Sequence, residues 1–89
     1  SERENIIVYH ADMEMDEMRN YCNILKEKVT NIAGVVGNGR FLMISDNVDL
    51  KNVLSELKNE FDIKGGGNSQ MIQGQFSGDV DALIKKFSK

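Results

Sequence analysis

Proline is absent from this 89-residue chain, cysteine and histidine occur once each, and no apolar run is long enough to span a membrane. Each shortage narrows the reading. Without proline, the breaks between elements rest on glycine and on polar caps. The single cysteine, Cys22, cannot close an internal disulfide, so a reducing compartment, the cytoplasm, is the expected setting. The single histidine, His10, has no second histidine or cysteine beside it to complete a metal site or a nucleophile-base pair, and reads as structural. The apolar run within SERENIIVYHAD is too short, and its flanks too acidic, for a signal peptide, and no membrane partner is expected. An initiator methionine is also missing, so the expectation is a fragment of a longer chain, with Ser1 a cloning remnant. Positive charge is in deficit too. The net charge of −3 is the wrong sign for holding nucleic acid by bulk electrostatics, so any anion site must be local.

What is present suits one small soluble domain, residues 1–89, with 40% hydrophobic and 28% charged residues. NIIVYHAD reads as a buried strand running into a helix start. Met15, Met18, Cys22, Leu25 and Val29 recur at alternating three and four spacing, one apolar stripe of a helix ending near Val29. IAGVV and FLMIS are two strands joined by GNGR, whose Gly-Asn-Gly supplies the positive-φ positions of a tight hairpin. Asp46, Asn47 and Asp49 offer caps for a second helix with Leu50, Val53, Leu54, Leu57 and Phe61 inward. Residues 62–70 read as a long break, MIQGQF as a strand, and residues 79–88 as a last helix with Val80, Leu83, Ile84 and Phe87 inward. The expected fold is α/β: a small mixed sheet of about four strands covered by three helices, in two or three layers. Its core should include Ile6, Val8, Val35, Val36, Leu42, Ile44, Leu54, Leu57, Leu83 and Phe87.

Chemistry-bearing clusters are few. Cys22 lies in an apolar stripe and reads as core. The carboxylates of DMEMDE gather at a helix start, where they complement the helix dipole rather than a metal. No cofactor, metal or catalytic residue is expected. That leaves KGGGNSQMIQGQ, residues 64–75. It matches neither the phosphate-loop pattern ending in Lys-Ser/Thr nor the spaced dinucleotide fingerprint. Gly65, Gly66 and Gly67 can take positive φ and leave backbone N–H groups open for a phosphate, and Lys64 supplies charge. Asn68, Ser69, Gln70, Gln73 and Gln75 offer hydrogen bonds to sugars and bases, with Arg40 as a helper. On that reading a side chain at Gly66 should obstruct the site and strain the backbone. The alternative from composition alone is a flexible connector.

The whole chain resembles the DHH-associated domain in the form found at the C-terminus of alanyl-tRNA synthetases and of long alanyl-tRNA editing proteins, often called the C-Ala domain. The resemblance rests on NIIVYHAD, on IAGVVGNGRFLMISDN, and above all on KGGGNSQMIQGQFSG, where Lys64, Gly65, Gly66, Gly67, Met71 and Gln73 match the family pattern. Asn68, Ser69 and Gln70 depart from it, standing where the synthetases usually have Arg, Pro and Asp. In DHH phosphoesterases the glycine triplet is usually followed by histidine, a place held here by Asn68. The resemblance implies a non-catalytic accessory domain that binds tRNA, the alanine-accepting tRNA, beside N-terminal catalytic or editing domains of its parent, with homodimerisation as a further role. Its alternatives are the substrate-binding domain of a DHH-family phosphoesterase and a dimerisation domain that does not bind RNA.

Overall fold

The computed structural model describes residues 3–88. Nine elements follow in order: β1 (Arg3–Tyr9), α1 (Met15–Leu25), a short 3₁₀ turn (Lys26–Lys28), β2 (Val29–Gly37), β3 (Arg40–Ser45), α2 (Leu50–Glu60), β4 (Ile63–Gly67), β5 (Met71–Phe76) and α3 (Val80–Lys86). The strands form one mixed sheet in the order β1-β2-β3-β5-β4, parallel between β1 and β2 and antiparallel elsewhere.

Alternation of side chains across the sheet builds three layers. On one face Met18, Cys22 and Leu25 of α1 pack on Ala33, Val35, Leu42 and Ile44. On the other, α2 and α3 set Leu50, Val53, Leu54, Leu57, Leu83 and Phe87 against Ile7, Val36, Phe41, Met43, Ile63, Ile72 and Phe76. Strand β3 is buried on both faces, which is why FLMI reads as an unbroken apolar run. The loops into α2 and α3 end on aspartate caps: Asp49 accepts from the Lys51 amide at 3.0 Å, and Asp79 from the Asp81 and Ala82 amides at 3.0 and 3.3 Å. Asn38 and Gly39, at φ 53° and 71°, turn the β2–β3 hairpin as the Gly-Asn-Gly connector required. At Gly37, φ 156°, a Cβ would run into the His10 carbonyl, so this position serves the packing of β1's exit against the hairpin.

Three details differ from expectation. Helix α1 stops at Leu25, and Val29 opens β2 instead of closing the helix; a four-residue step from Leu25 mimics helical spacing, but Val29, Thr30 and Ile32 are β-branched and take the strand. Ile6 and Val8 are half-buried rather than buried, because β1 is an outer strand and α1 lies over β2 and β3. The largest difference is a fifth strand: the glycine run is not a break but the edge strand β4, paired in register with β5. Gly65 faces Gly74 across that ladder. A Cβ on Gly65 would strike the Gln73 carbonyl, and one on Gly74 the Lys64 carbonyl, so the two strands approach each other only because both lack side chains.

Burial of Cys22 beneath α1 pushes its thiol up to about 12. A disulfide reagent at about pH 8 should therefore label it only through unfolded molecules, slowly in buffer and completely in denaturant. Prompt labelling of the native protein would show that α1 does not dock as described.

Candidate nucleic-acid interface

The register of β3, β5 and β4 decides which of the expected site residues meet. Arg40 stands opposite Gln75, and Gln75 opposite Lys64, making one cross-strand row. The next row is Leu42, Gln73 and Gly66. Leu42 belongs to the cluster under α1, so both rows face the α1 side of the sheet, yet α1 packs on β2 and β3. Lys64, Gly66 and Gln75 are exposed there and Arg40 and Gln73 half-exposed. The result is a polar field beside the N-terminus of α1, built from two cations and two amides on rigid strands.

Electrostatically the field is restrained. Arg40 Nη1 lies 2.8 Å from Glu14 Oε2, an exposed ion pair worth at most about 1 kcal/mol and open to exchange for another anion. Lys64 shares a polar depression of about 110 Å³ with Asp62, Gln75 and Ser77. The Gln73 Oε1 atom is buried and accepts no hydrogen bond from the described residues. A buried acceptor without a partner costs free energy, and the half-exposed Gln73 amide meets a ligand only by turning toward the surface.

The glycines divide by role. Gly65 and Gly67 are closed to side chains, since a Cβ on Gly67, φ 148°, would meet the Met71 carbonyl as one on Gly65 meets that of Gln73. Gly66 is different: its φ is not positive and a Cβ there meets nothing within 4 Å. The expected backbone strain at Gly66 is absent, and the fold itself does not require glycine there. Nor do the three amides converge on a phosphate. Asn68 N–H donates to Met71 O and Ser77 N–H to Asp62 O, each at 2.9 Å, so Lys64 and Gly66 bond inward to β5. The N–H and C=O groups of Ile63, Gly65 and Gly67 point outward along the edge, donor alternating with acceptor rather than forming a concave nest.

Asn68, Ser69 and Gln70 form the β4–β5 turn, roughly 13 Å along the strand from Lys64 at about 3.3 Å per residue. Their groups serve the fold. Asn68 Oδ1 accepts from the Gln70 and Met71 amides at 2.8 and 3.0 Å, Ser69 O accepts from Leu50 N–H at 2.9 Å, and Gln70 O from Ser45 N–H at 3.0 Å. The structure thus brings Lys64, Gly66, Gln73 and Arg40 together and sets Asn68–Gln70 apart. Gln75 is central to the row, and its period-two spacing from Gln73 in a strand marks an uncovered face. Among the described residues no group of three or more His, Cys, Asp or Glu converges as for a metal ion.

No family model matches this chain, and neither does any curated protein. Among solved structures, the crystal structure of the C-Ala domain from Aquifex aeolicus alanyl-tRNA synthetase matches it with a TM-score of 0.64 over 96% of this chain and 91% of that one, at 20% identity. At that identity the likeness is one of architecture: this chain has the fold of a C-Ala domain.

Proposed function

We propose that the chain is a tRNA-binding accessory domain of the DHH-associated type, working beside the catalytic or editing domains of an alanyl-tRNA synthetase or alanyl-tRNA editing protein in the cytoplasm. The observation that carries the reading is the row Arg40–Gln75–Lys64 beside the bare Gly66 and the unpartnered Gln73 acceptor, on a C-Ala-like fold. Arg40 and Lys64 supply charge-assisted contacts to phosphate oxygens. Gly66 leaves a flat patch of backbone on which a sugar or base can lie, and Gln73 and Gln75 offer amides to its edge. Catalysis belongs to other domains. The fold of the match supports this over the phosphoesterase reading, as does Asn68, whose side chain is committed to the turn.

Because the chain carries net −3, the isolated domain should bind whole tRNA weakly and with strong salt dependence. The test is a fluorescence titration of tRNA at several salt concentrations for the wild type, Gly66→Val and the remote control Lys28→Ala. Gly66→Val should stay folded and bind less, and Lys28→Ala should behave as wild type. Equal loss in both variants, or saturable binding that neither salt nor Gly66→Val disturbs, would move the interface elsewhere.

A further inference from the structure

The polar face of the β4–β5 ribbon does not end at Lys64. Ser77 N–H donates to Asp62 O at 2.9 Å, which carries the ladder one step beyond the Ile63–Phe76 pair. Alternation puts Asp62 on the same face as Lys64, because Ile63 between them points into the core with Phe76. Asp62, Lys64, Gln75 and Ser77 accordingly line one polar depression of about 110 Å³. Asp62 and Lys64 stand roughly 7 Å apart by strand rise, yet neither takes part in the four ion pairs found among the described residues. The carboxylate is exposed and free, and its backbone is fixed by buried Ile63 on one side and by Phe61, packed on the core, on the other. With Glu14 beside Arg40, the field holds two carboxylates for its two cations. Such a surface gains little from phosphate charge alone, since a phosphate on Lys64 also approaches Asp62. The ligand it fits carries a hydrogen-bond donor next to a phosphate.

We propose that Asp62 reads the sugar: its carboxylate accepts a hydrogen bond from the 2′-hydroxyl of the nucleotide whose 3′-phosphate Lys64 holds, so the ribbon selects RNA over DNA. The inference rests on the tRNA-binding reading and narrows it to one group of the ligand. In a ribonucleotide the 2′-hydroxyl is the donor beside the 3′-phosphate, on the adjoining carbon of the same ring, whereas the N–H groups of the base lie across the sugar. Asp62 and Lys64, two residues apart on one strand face, present an acceptor and a cation at that short spacing. Gln75 and Ser77 close the depression on the β5 side and offer donors to the ring and phosphate oxygens. A deoxyribose gives Asp62 no donor, so its phosphate meets the carboxylate's repulsion with nothing to offset it. Lys64 thus attracts either nucleic acid, and Asp62 discriminates by penalising the one without the hydroxyl.

The test titrates a tRNA transcript, its fully 2′-O-methylated form and an all-DNA molecule of the same sequence against the wild type, Asp62→Ala and Glu56→Ala. The 2′-O-methyl form keeps RNA-like helices but cannot donate from the sugar, and DNA lacks the hydroxyl without adding bulk. Glu56 is exposed on α2, which packs on the other face of the sheet, and its removal changes the net charge as removal of Asp62 does. The wild type and Glu56→Ala should bind the transcript about tenfold more tightly than either analogue, the effect of one charge-assisted hydrogen bond. In Asp62→Ala that preference should shrink to about twofold, mainly because the analogues bind more tightly. Each preference is a ratio within one variant, so a folding defect that weakens all three ligands alike does not imitate it. Equal, salt-dependent binding of all three by the wild type overturns the inference and leaves the phosphate contacts standing. An unchanged preference in folded Asp62→Ala also overturns it. Failure of the wild type to bind the transcript at all brings down the tRNA reading and this one with it.

Discussion

Gly74→Val should break the β4–β5 ribbon, while Gly66→Val, eight residues earlier on the facing strand, should leave the domain as stable as before or slightly more so. A Cβ at Gly74 collides with the Lys64 carbonyl and the Gly65 Cα, both backbone atoms of a paired strand that can yield only by separating from β5. Ile63 and its contacts with Phe76 then lose their support. Forced overpacking of this kind costs about 3 kcal/mol, a large part of the roughly 4–13 kcal/mol that holds a domain of this length. The expected fall in Tm is on the order of 10–20 °C. Gly66 has open space above it and an ordinary φ, so valine there gains strand propensity at no steric cost. Thermal denaturation followed by circular dichroism reads both. Equal losses in the two variants would mean that β4 does not pair in this register.

The second large effect concerns affinity. Lys64→Ala/Arg40→Ala removes both cations of the cross-strand row and should weaken tRNA binding roughly sixtyfold at about 0.1 M salt, because each neutralised phosphate contributes about 0.9 to the salt exponent. The slope of log K against log salt should become shallower by about 1.8. Glu14→Gln should act in the opposite direction. It releases Arg40 from a carboxylate 2.8 Å away while keeping a side chain able to accept hydrogen bonds, so binding strengthens several-fold and the slope steepens. The same titrations check all three. If Glu14→Gln weakens binding, or if the double variant changes affinity without changing the slope, Arg40 and Lys64 do not reach phosphates.

The parts of the fold legible in the sequence are those whose signal is local. Stripes such as Leu50, Val53, Leu54 and Leu57, each behind an aspartate cap, state where a helix lies and which side is covered. Asn38 and Gly39 state a turn. Strand β4 was not legible because its reason for being a strand is Gly74 on another strand; three glycines in isolation carry low β-propensity, and only the pairing of two bare positions shows that the glycines permit close approach instead of flexibility. The site divides in the same way. Gln73 and Gln75 alternate with Ile72 and Phe76, so an uncovered polar face can be read from β5 alone. That Arg40 shares a row with Lys64 depends on the β3–β5 register, which no local pattern contains. The turn residues Asn68–Gln70 have the composition of a contact surface and the hydrogen bonds of a scaffold, and only coordinates separate the two.

The division among the glycines also governs how this surface can change over evolutionary time. Gly65, Gly67 and Gly74 are held as glycine by the backbone of the facing strand, so nearly any mutation there is filtered out through folding before recognition is sampled. Lys64, Gly66 and Gln75 are exposed and Gln73 is half-buried, all four outside that constraint. Ligand preference can therefore drift at four neighbouring positions while the ribbon that presents them stays fixed, much as a type block holds its frame while the characters are exchanged.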